Sequence, residues 1–380
     1  MSPVPSHVST TRGPVLIIGT GLLGTSLALA LRGGGVEVFL RDSSPTAGRL
    51  AQDLGAGTLI GPEDHCSPAL VIVSTPPDVA DICVVDALIR YPEAVVSDVA
   101  SVKLAVLEGV VEEAQRRGLD ITSRYVGSHP MAGRERSGAG AADADLFYGR
   151  PWVIVPSPTS SPDAVMRIRS LAGDVGAFPI EMDASTHDQS VALISHVPQL
   201  VSSMLAARLA DAPVSALSLS GQGLRDTTRI AASDPRLWTA ILAGNAGPVV
   251  KVLKDIRGDL DDLISHLDAA AQQGPLEGGS VGAVYRVMDQ GNRGVARIPG
   301  KHGGAPTRYV VLDVFVPDTA GSLGRLFADL GEIGVNIEDF ALEHSAGAQM
   351  GVARLSLDPS IVASTICQLQ ERGWNTGSGD

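Results

Sequence analysis

Val15-Leu16-Ile17-Ile18-Gly19-Thr20-Gly21-Leu22-Leu23-Gly24 joins a short apolar run to glycines spaced G-x-G-x-x-G. Pro14 precedes the run, and an apolar-periodic stretch over residues 22–32 follows it. β-branched and aliphatic residues bounded by glycine read as a buried strand, and the helical periodicity behind them reads as a helix. A strand, a glycine turn and a helix in that order form a phosphate cradle. Gly19 makes the tight turn, Gly21 lets the backbone approach a pyrophosphate, and Gly24 lets helix and strand pack closely. Leu22 and Leu23 open the helix, whose unpaired N–H groups face the negative charge. The stretch predicts a dinucleotide-binding unit of the Rossmann type.

Reading outward, a second strand over residues 36–40 is followed by Asp42. A carboxylate there accepts from the adenine ribose hydroxyls, which favours NAD over NADP. Arg41 and Ser43 leave open the opposite arrangement, a held 2′-phosphate, and Asp42-Ser43-Ser44-Pro45 is also sound turn chemistry. A third strand, residues 69–74, runs into Ser74-Thr75-Pro76, which is expected to line the cofactor groove. Further strands are expected at 94–98, 125–127 and 152–155. Strands alternating with helices predict a parallel sheet covered on both faces. The character changes near residue 185, where apolar-periodic segments at 189–210, 235–244 and 246–267 predict an all-helical domain. Residues 272–306 are rich in glycine and are read as a frayed helical extension plus linker. From residue 307 the order strand, helix, strand, strand, helix predicts a ferredoxin-like α+β unit, with a fourth strand near Trp374 cut short by Gly377-Ser378-Gly379. The expected division is a disordered tail at 1–13, a dinucleotide-binding domain at 14–183, a helical domain at 184–295, a linker at 296–306 and the α+β domain at 307–380.

The chain has 380 residues and a formal net charge of −13, so no nucleic-acid partner is expected. Its three cysteines, Cys66, Cys83 and Cys367, do not form a disulfide framework, and a reducing, cytoplasmic setting is expected. No stretch reads as a membrane span and no secretory signal precedes residue 14, so no membrane association is expected. The histidines lack metal-ligand spacing, so no metal is expected.

Gly127-Ser128-His129-Pro130-Met131-Ala132-Gly133 follows a strand, at the sheet edge where such folds bind ligands. A histidine held there by a proline is well placed for proton transfer, although a loop histidine is more often merely solvated. Three further motifs share the chain with it: Asp98-Val99-Ala100-Ser101-Val102-Lys103, Ser195-His196-Val197-Pro198 and Asp226-Thr227-Thr228-Arg229-Ile230-Ala231. With the glycine fingerprint, these motifs in this order resemble the prephenate/arogenate dehydrogenase family over most of residues 14–271.

The resemblance implies an NAD-dependent dehydrogenase with an all-helical dimerisation domain, hence a homodimer. It implies that His129 is the catalytic histidine and that Ser101 hydrogen-bonds it and reaches the nicotinamide region. Arg229 would grip a substrate carboxylate, His196 would lie on the helical side of the pocket, and Glu135 would lie near its mouth. Gln199 replaces a second histidine that many family members carry three residues after His196, so selection between prephenate and arogenate is left open. The implied reaction is hydride transfer to NAD with loss of the ring carboxylate as carbon dioxide, giving 4-hydroxyphenylpyruvate on the route to tyrosine. At the C-terminus, Asp318-Thr319-Ala320-Gly321-Ser322-Leu323 and Gly334-Val335-Asn336-Ile337 resemble an ACT domain. That likeness implies an aromatic amino-acid effector near Asp318, Gly321, Leu323 and Asn336. Two other functions stay open: a different Rossmann dehydrogenase acting on a hydroxy acid or imine, and a non-catalytic sensor that uses NAD structurally. Arogenate dehydrogenase, forming tyrosine directly, is the nearer alternative.

Overall fold

A computed structural model describes residues 9–119, 123–134, 136–275, 279–299, 309–344 and 350–378. It divides into two compact units, residues 1–212 with 227–256, and residues 213–226 with 257–380.

The first unit is built on parallel strands β1 (Val15–Ile18), β2 (Val38–Arg41), β3 (Thr58–Leu59), β4 (Leu70–Val73) and β5 (Val95–Asp98), in the order β3-β2-β1-β4-β5. Side chains alternate across the sheet and both faces are covered. Val15 and Ile17 pack with Leu27, Ala28 and Leu31 of helix Leu22–Gly33 and with Ile168 and Leu171 of helix Pro162–Asp174. Leu16, Val71 and Val73 face the other way, onto Val84, Val85 and Leu88 of helix Pro77–Arg90 and Val106 and Val110 of helix Leu104–Arg116. Burial on two sides explains why these strands are apolar at successive positions rather than alternately.

The sheet continues into β6 (Val126–Pro130), which meets β5 through a parallel bridge from Val96 to Tyr125. β7 (Pro151–Pro156) pairs antiparallel with β6, and β8 (Phe178–Glu181) pairs parallel with β7. β6 corrects the expected strand at 125–127. It runs on through His129, which pairs with Val153, so His129 sits in a strand rather than in the loop after it. The carboxyl ends of β1, β4, β5 and β6 share one edge of the sheet.

Two other sequence expectations are revised. The tail was expected to be disordered through residue 13, but residues 9–11 are pinned. Ser9 Oγ and the Thr11 amide and hydroxyl all donate to Asp174 Oδ2, at 2.7, 2.6 and 2.5 Å. Residues 1–8 lie outside the described residues. Nor is the stretch after residue 272 a frayed extension. Helix Ala246–Gln273 is followed by helix Ser280–Val295, which opens at Gly279 with φ 74°. The Ser280 hydroxyl donates to the Pro275 carbonyl, and Arg286 pairs with Asp262 at 3.2 Å. These bonds offset the helix-weakening Gly282, Gly291 and Gly294. Of the linker expected at 296–306, residues 300–306 lie outside the described residues.

One helical run, Ala184–Ala207, is long and apolar enough to cross a membrane by length and composition, which the sequence reading had not expected. It also carries His187, Asp188, His196 and Gln199, all buried within the fold. A turn of π-helix over Ala192–His196 interrupts it just before Pro198, which has no N–H to give the ladder.

The second unit ends in an antiparallel sheet of β9 (Val310–Pro317), β10 (Asp339–His344), β11 (Met350–Leu357) and β12 (Asn375–Ser378), ordered β10-β11-β9-β12. Helices Ser322–Ile333 and Val362–Glu371 complete a split β-α-β arrangement. The fourth strand is short, yet it pairs with β9 from Asn375 to Ser378.

Candidate active site

The glycine loop has the shape the fingerprint requires. Gly19 has φ 95°, and a Cβ there would come within 2.7 Å of the Ser74 carbonyl oxygen. A Cβ on Gly24 would run into the Gly19 carbonyl oxygen. A Cβ on Gly21 would meet nothing within 4 Å, so the backbone is open where a pyrophosphate would approach. Helix Leu22–Gly33 starts at Gly21 without a side-chain cap, leaving its first N–H groups for a ligand. These features fit a dinucleotide.

Asp42 braces this loop. Its Oδ2 accepts from the Thr20 amide at 2.6 Å and hydroxyl at 2.8 Å, and its Oδ1 accepts from the Ser44 amide at 2.7 Å. Ser74 Oγ donates to the Gly19 carbonyl at 2.6 Å, so Ser74 holds the turn from behind. Thr75 and Pro76 follow at the end of β4, and Pro76 is the N-cap of helix Pro77–Arg90. Arg41 Nη2 donates to the Gly61 carbonyl at 3.4 Å.

At the same sheet edge, His129 is buried, and its Nδ1 lies 2.8 Å from His187 Nε2. His187 Nδ1 lies 2.7 Å from Asp188 Oδ1. Asp188 in turn accepts the Lys103 amide and, through Oδ2, the Leu104 amide, both at 2.9 Å, at the start of helix Leu104–Arg116. Burial holds the His129 imidazole well below the ordinary histidine range, and His187, Lys103 and His196 push the same way. The His129 imidazole is therefore neutral at neutral pH. Beneath it, Asp98 pairs with Lys103, and Lys103 Nζ also donates to the Ser128 carbonyl at 2.7 Å. Tyr125 donates to Asp98 Oδ2 at 2.8 Å. This ion pair ties β5 to β6 and fixes the strand that carries His129.

His196 is buried against Trp238, with ring centroids 6.0 Å apart. Asn245 Nδ2 donates to the Asp188 carbonyl at 2.8 Å and contacts His196 Nδ1 at 3.0 Å. An amide NH₂ can only donate, so neutral His196 carries its proton on Nε2. Burial holds His196 at about 4, with Asp188 opposing the shift and His187 adding to it. This has a measurable consequence. Below the ordinary value of 6.5 the unfolded chain gains a proton that folded His196 refuses until about 4. Stability is complete above about pH 6.5 and falls between about 6.5 and 4, on the order of 3 kcal/mol from this group. Thermal melts across that window test it. A flat Tm from pH 7 to 4 contradicts a buried neutral His196.

Gln199 is buried and its amide donates to the Ile230 carbonyl at 2.9 Å, while Ser202 donates to the Thr227 carbonyl at 2.8 Å. The residue expected on the substrate ring is thus occupied in seating the segment that carries Arg229. Arg229 itself opens a 3₁₀ turn and is exposed. Ser101 is half-buried in the loop after β5, and among the described residues no hydrogen bond joins it to His129, whose Nδ1 is taken by His187. Glu135 lies outside the described residues. Sequence reasoning missed His187, Asp188 and Asn245. No group of three His, Cys, Asp or Glu side chains among the described residues is placed to hold a metal ion.

In the C-terminal sheet domain, Gly321 has φ 89° and begins helix Ser322–Ile333, as the expected turn needs. Asp318 lies in the turn after β9. Leu323 packs against the domain core, and Asn336 donates to Glu338 Oε1 at 2.9 Å.

Comparison with known proteins agrees with this architecture. Residues 27–181 match the family described as prephenate dehydrogenase, nucleotide-binding domain, and residues 183–276 match prephenate dehydrogenase, dimerization domain. A probable prephenate dehydrogenase of Streptomyces niveus is 34% identical over 366 residues, covering 96% of this chain and 99% of the relative. A crystal structure of prephenate dehydrogenase from A. aeolicus, in complex with hydroxyphenyl propionate and NAD+, superposes with a TM-score of 0.63 at 26% identity, covering 75% of this chain and 99% of that one. Synechocystis arogenate dehydrogenase superposes with a TM-score of 0.59 at 28% identity, covering 74% and 98%.

Proposed function

The chain belongs to the prephenate dehydrogenase family and is an NAD-dependent dehydrogenase, and from that premise we propose that it oxidises and decarboxylates prephenate. The observation that carries this reading is His129, a buried neutral imidazole on the sheet edge that also bears the glycine loop. When bound, NAD supplies the hydride acceptor. Gly19, Gly21, Gly24 and the first turn at Leu22 and Leu23 would hold its pyrophosphate, Asp42 its adenine ribose, and Ser74, Thr75 and Pro76 the groove wall.

His129 takes the proton of the ring hydroxyl as the carbinol carbon gives up hydride. The bond to the ring carboxylate then breaks, its electron pair passes through the ring to the ketone oxygen, which regains its proton from His129, and carbon dioxide leaves as the ring becomes aromatic. The protein's share is to position and desolvate these groups. Ser101, at the loop after β5, is assigned to the nicotinamide side, and Glu135 to the pocket mouth. His196, as an Nε2–H donor, is assigned to the helical wall. Arg229 grips a substrate carboxylate, with Gln199 seating its segment. Losing that charge-assisted bond is worth about 1.5–3 kcal/mol, so Arg229→Ala should raise KM roughly 10- to 150-fold. An unchanged KM in the folded variant removes the role.

The adenine end carries its own expectation. Asp42 repels a 2′-phosphate, so kcat/KM is higher with NAD than with NADP. Asp42→Ala should narrow that ratio and also loosen the Thr20 turn it braces. Equal efficiency with both cofactors in the unaltered enzyme would defeat this assignment.

The deciding experiment is NADH formation and carbon dioxide release on adding prephenate or arogenate to the full chain with NAD. Products from prephenate support the reading, and turnover of arogenate alone replaces it with arogenate dehydrogenase. Without either product the chain is a sensor or acts on another substrate. We further assign residues 14–183 to dinucleotide binding, 184–295 to assembly and 307–380 to amino-acid sensing. A homodimer is supported by the exposed Leu193, Ile194 and Met204 on the helical run of the matched dimerisation domain. An aromatic amino-acid effector is assigned to Asp318, Gly321, Leu323 and Asn336. Adding tyrosine to the same assay tests it, and an unaltered rate with no binding makes the α+β domain an assembly module.

A further inference from the structure

We propose that His187 and Asp188 are positioning residues that fix His129 as a proton acceptor at its Nε2 atom. The inference rests on His129 being the base, and it goes beyond that reading by saying which ring nitrogen acts and what sets it.

The argument starts at Asp188, because an ionised carboxylate can only accept hydrogen bonds. Its oxygens already accept the Lys103 and Leu104 amides at 2.9 Å each, at the first turn of a helix, where negative charge is favoured. The third contact, His187 Nδ1 to Asp188 Oδ1 at 2.7 Å, must therefore be an N–H donated by the imidazole. A neutral imidazole protonated on Nδ1 has its lone pair on Nε2. His187 Nε2 lies 2.8 Å from His129 Nδ1, so it accepts, and His129 Nδ1 carries the donated proton. That leaves the lone pair of neutral His129 on Nε2, the one ring nitrogen not taken by this chain of bonds.

The arrangement also matches the charge that appears in the reaction. The substrate hydroxyl proton lands on His129 Nε2, and no other bond needs to break. The imidazolium already directs its second N–H at His187, behind which stands the carboxylate of Asp188. As the bond to the carboxylate breaks, the electron pair reaches the ring oxygen, which takes the proton back from Nε2, so the product leaves as the phenol and His129 is neutral again. Asp188 is held by its backbone as well, since its carbonyl accepts from Asn245. The opposite polarity would need His187 doubly protonated. His129 would then receive a hydrogen bond at Nδ1 and carry its own proton on Nε2, where it could not act as a base.

The test has two arms on the full-length protein. In the first, ¹⁵N-histidine NMR reads the tautomers without any substrate, with peaks assigned by His129→Asn and His187→Gln. Protonated Nδ1 and bare Nε2 are expected on both His129 and His187. A proton on His129 Nε2 at neutral pH overturns the proposal. In the second, His187→Leu removes the acceptor, whereas His187→Gln keeps an amide oxygen that can accept from His129 Nδ1. The leucine variant should lose roughly 10- to 100-fold in kcat, part of what a positioned base contributes, with KM and NAD affinity little changed. The glutamine variant should regain most of that loss. Wild-type kcat in the leucine variant, or equal damage in both variants, overturns the positioning role. Should the leucine variant fail to fold, the wild-type spectrum still decides. Expected tautomers in a wild-type protein inert toward prephenate would overturn the functional reading and leave the hydrogen-bond chain standing.

Discussion

The His129→Asn enzyme is expected to turn prephenate over roughly 10²- to 10⁴-fold more slowly, the usual contribution of a positioned general base. Asparagine is the informative replacement because its amide NH₂ can still donate to His187 Nε2, the partner of His129 Nδ1 at 2.8 Å. Fold and local bonding should survive while the basic Nε2 is lost. NAD affinity should stay near normal, since the residues proposed to hold the cofactor, the glycine loop and Asp42, follow β1 and β2 rather than β6. The pH profile adds a check. Burial holds His129 well below its ordinary value of 6.5, so the neutral form persists as pH drops through 6.5. The wild-type rate should therefore show no fall centred near 6.5 from this group. Turnover in the asparagine variant close to wild type would remove His129 from the chemistry.

Much of this fold can be read in the chain because its signals are local. The glycine fingerprint, the apolar cores of β1, β2, β4 and β5 and the apolar helical periodicity each report on neighbours within a few residues and fall close to where they were expected, whereas the short β3 and the exposed β8 were not expected and β7 runs antiparallel to β6. The split β-α-β unit at the C-terminus is legible for the same reason, down to the turn at Gly321. What was misread depends on distant partners. His129 looked like a loop residue because Pro130 follows it, yet Pro130 is tolerated as the last residue of β6. Residues 280–295 were read as a frayed helical extension because of their glycines, but Asp262 and Pro275 hold them in a regular helix from outside. Residues 9–11 looked disordered, but a carboxylate at Asp174 collects their donors. His187 and Asp188 stand 58 and more residues from His129, and no periodicity links them to it. The only trace was a His-Asp pair shortly before Ser195-His196, in a segment otherwise read as helix.

Removing the carboxylate of Asp98 should be among the most damaging single changes to stability, about 3–5 kcal/mol, because it strands a buried charge. Lys103 and Asp98 are both fully buried, and with Asp98→Ala the ammonium keeps only the Ser128 carbonyl, at 2.7 Å, among its present acceptors. Tyr125 and the Ala100 amide lose an acceptor in the same step. The sign with pH follows from Lys103. Burial already lowers its affinity for a proton, and Asp98 is the main force opposing that shift. Without Asp98 the folded protein should bind this proton less readily still, while the unfolded chain binds it up to the ordinary value of 10.5. The unfolded state then holds more protons between the lowered folded value and 10.5, so stability must rise with pH across that interval. The Asp98→Ala protein should therefore regain part of its lost stability between about pH 7 and 10, more than the wild type gains over the same range. Adding Lys103→Met should recover stability at pH 7 and flatten that dependence, because no charge is then left to desolvate, although Tyr125 and the Ser128 carbonyl stay short of partners. Urea unfolding of the wild type, the single variant and the double variant at pH 7 and 9.5 measures all three expectations. A single variant within about 1 kcal/mol of wild type at pH 7, the scale of an exposed ion pair, would mean that water reaches Lys103 and that the β5–β6 junction is held by other contacts.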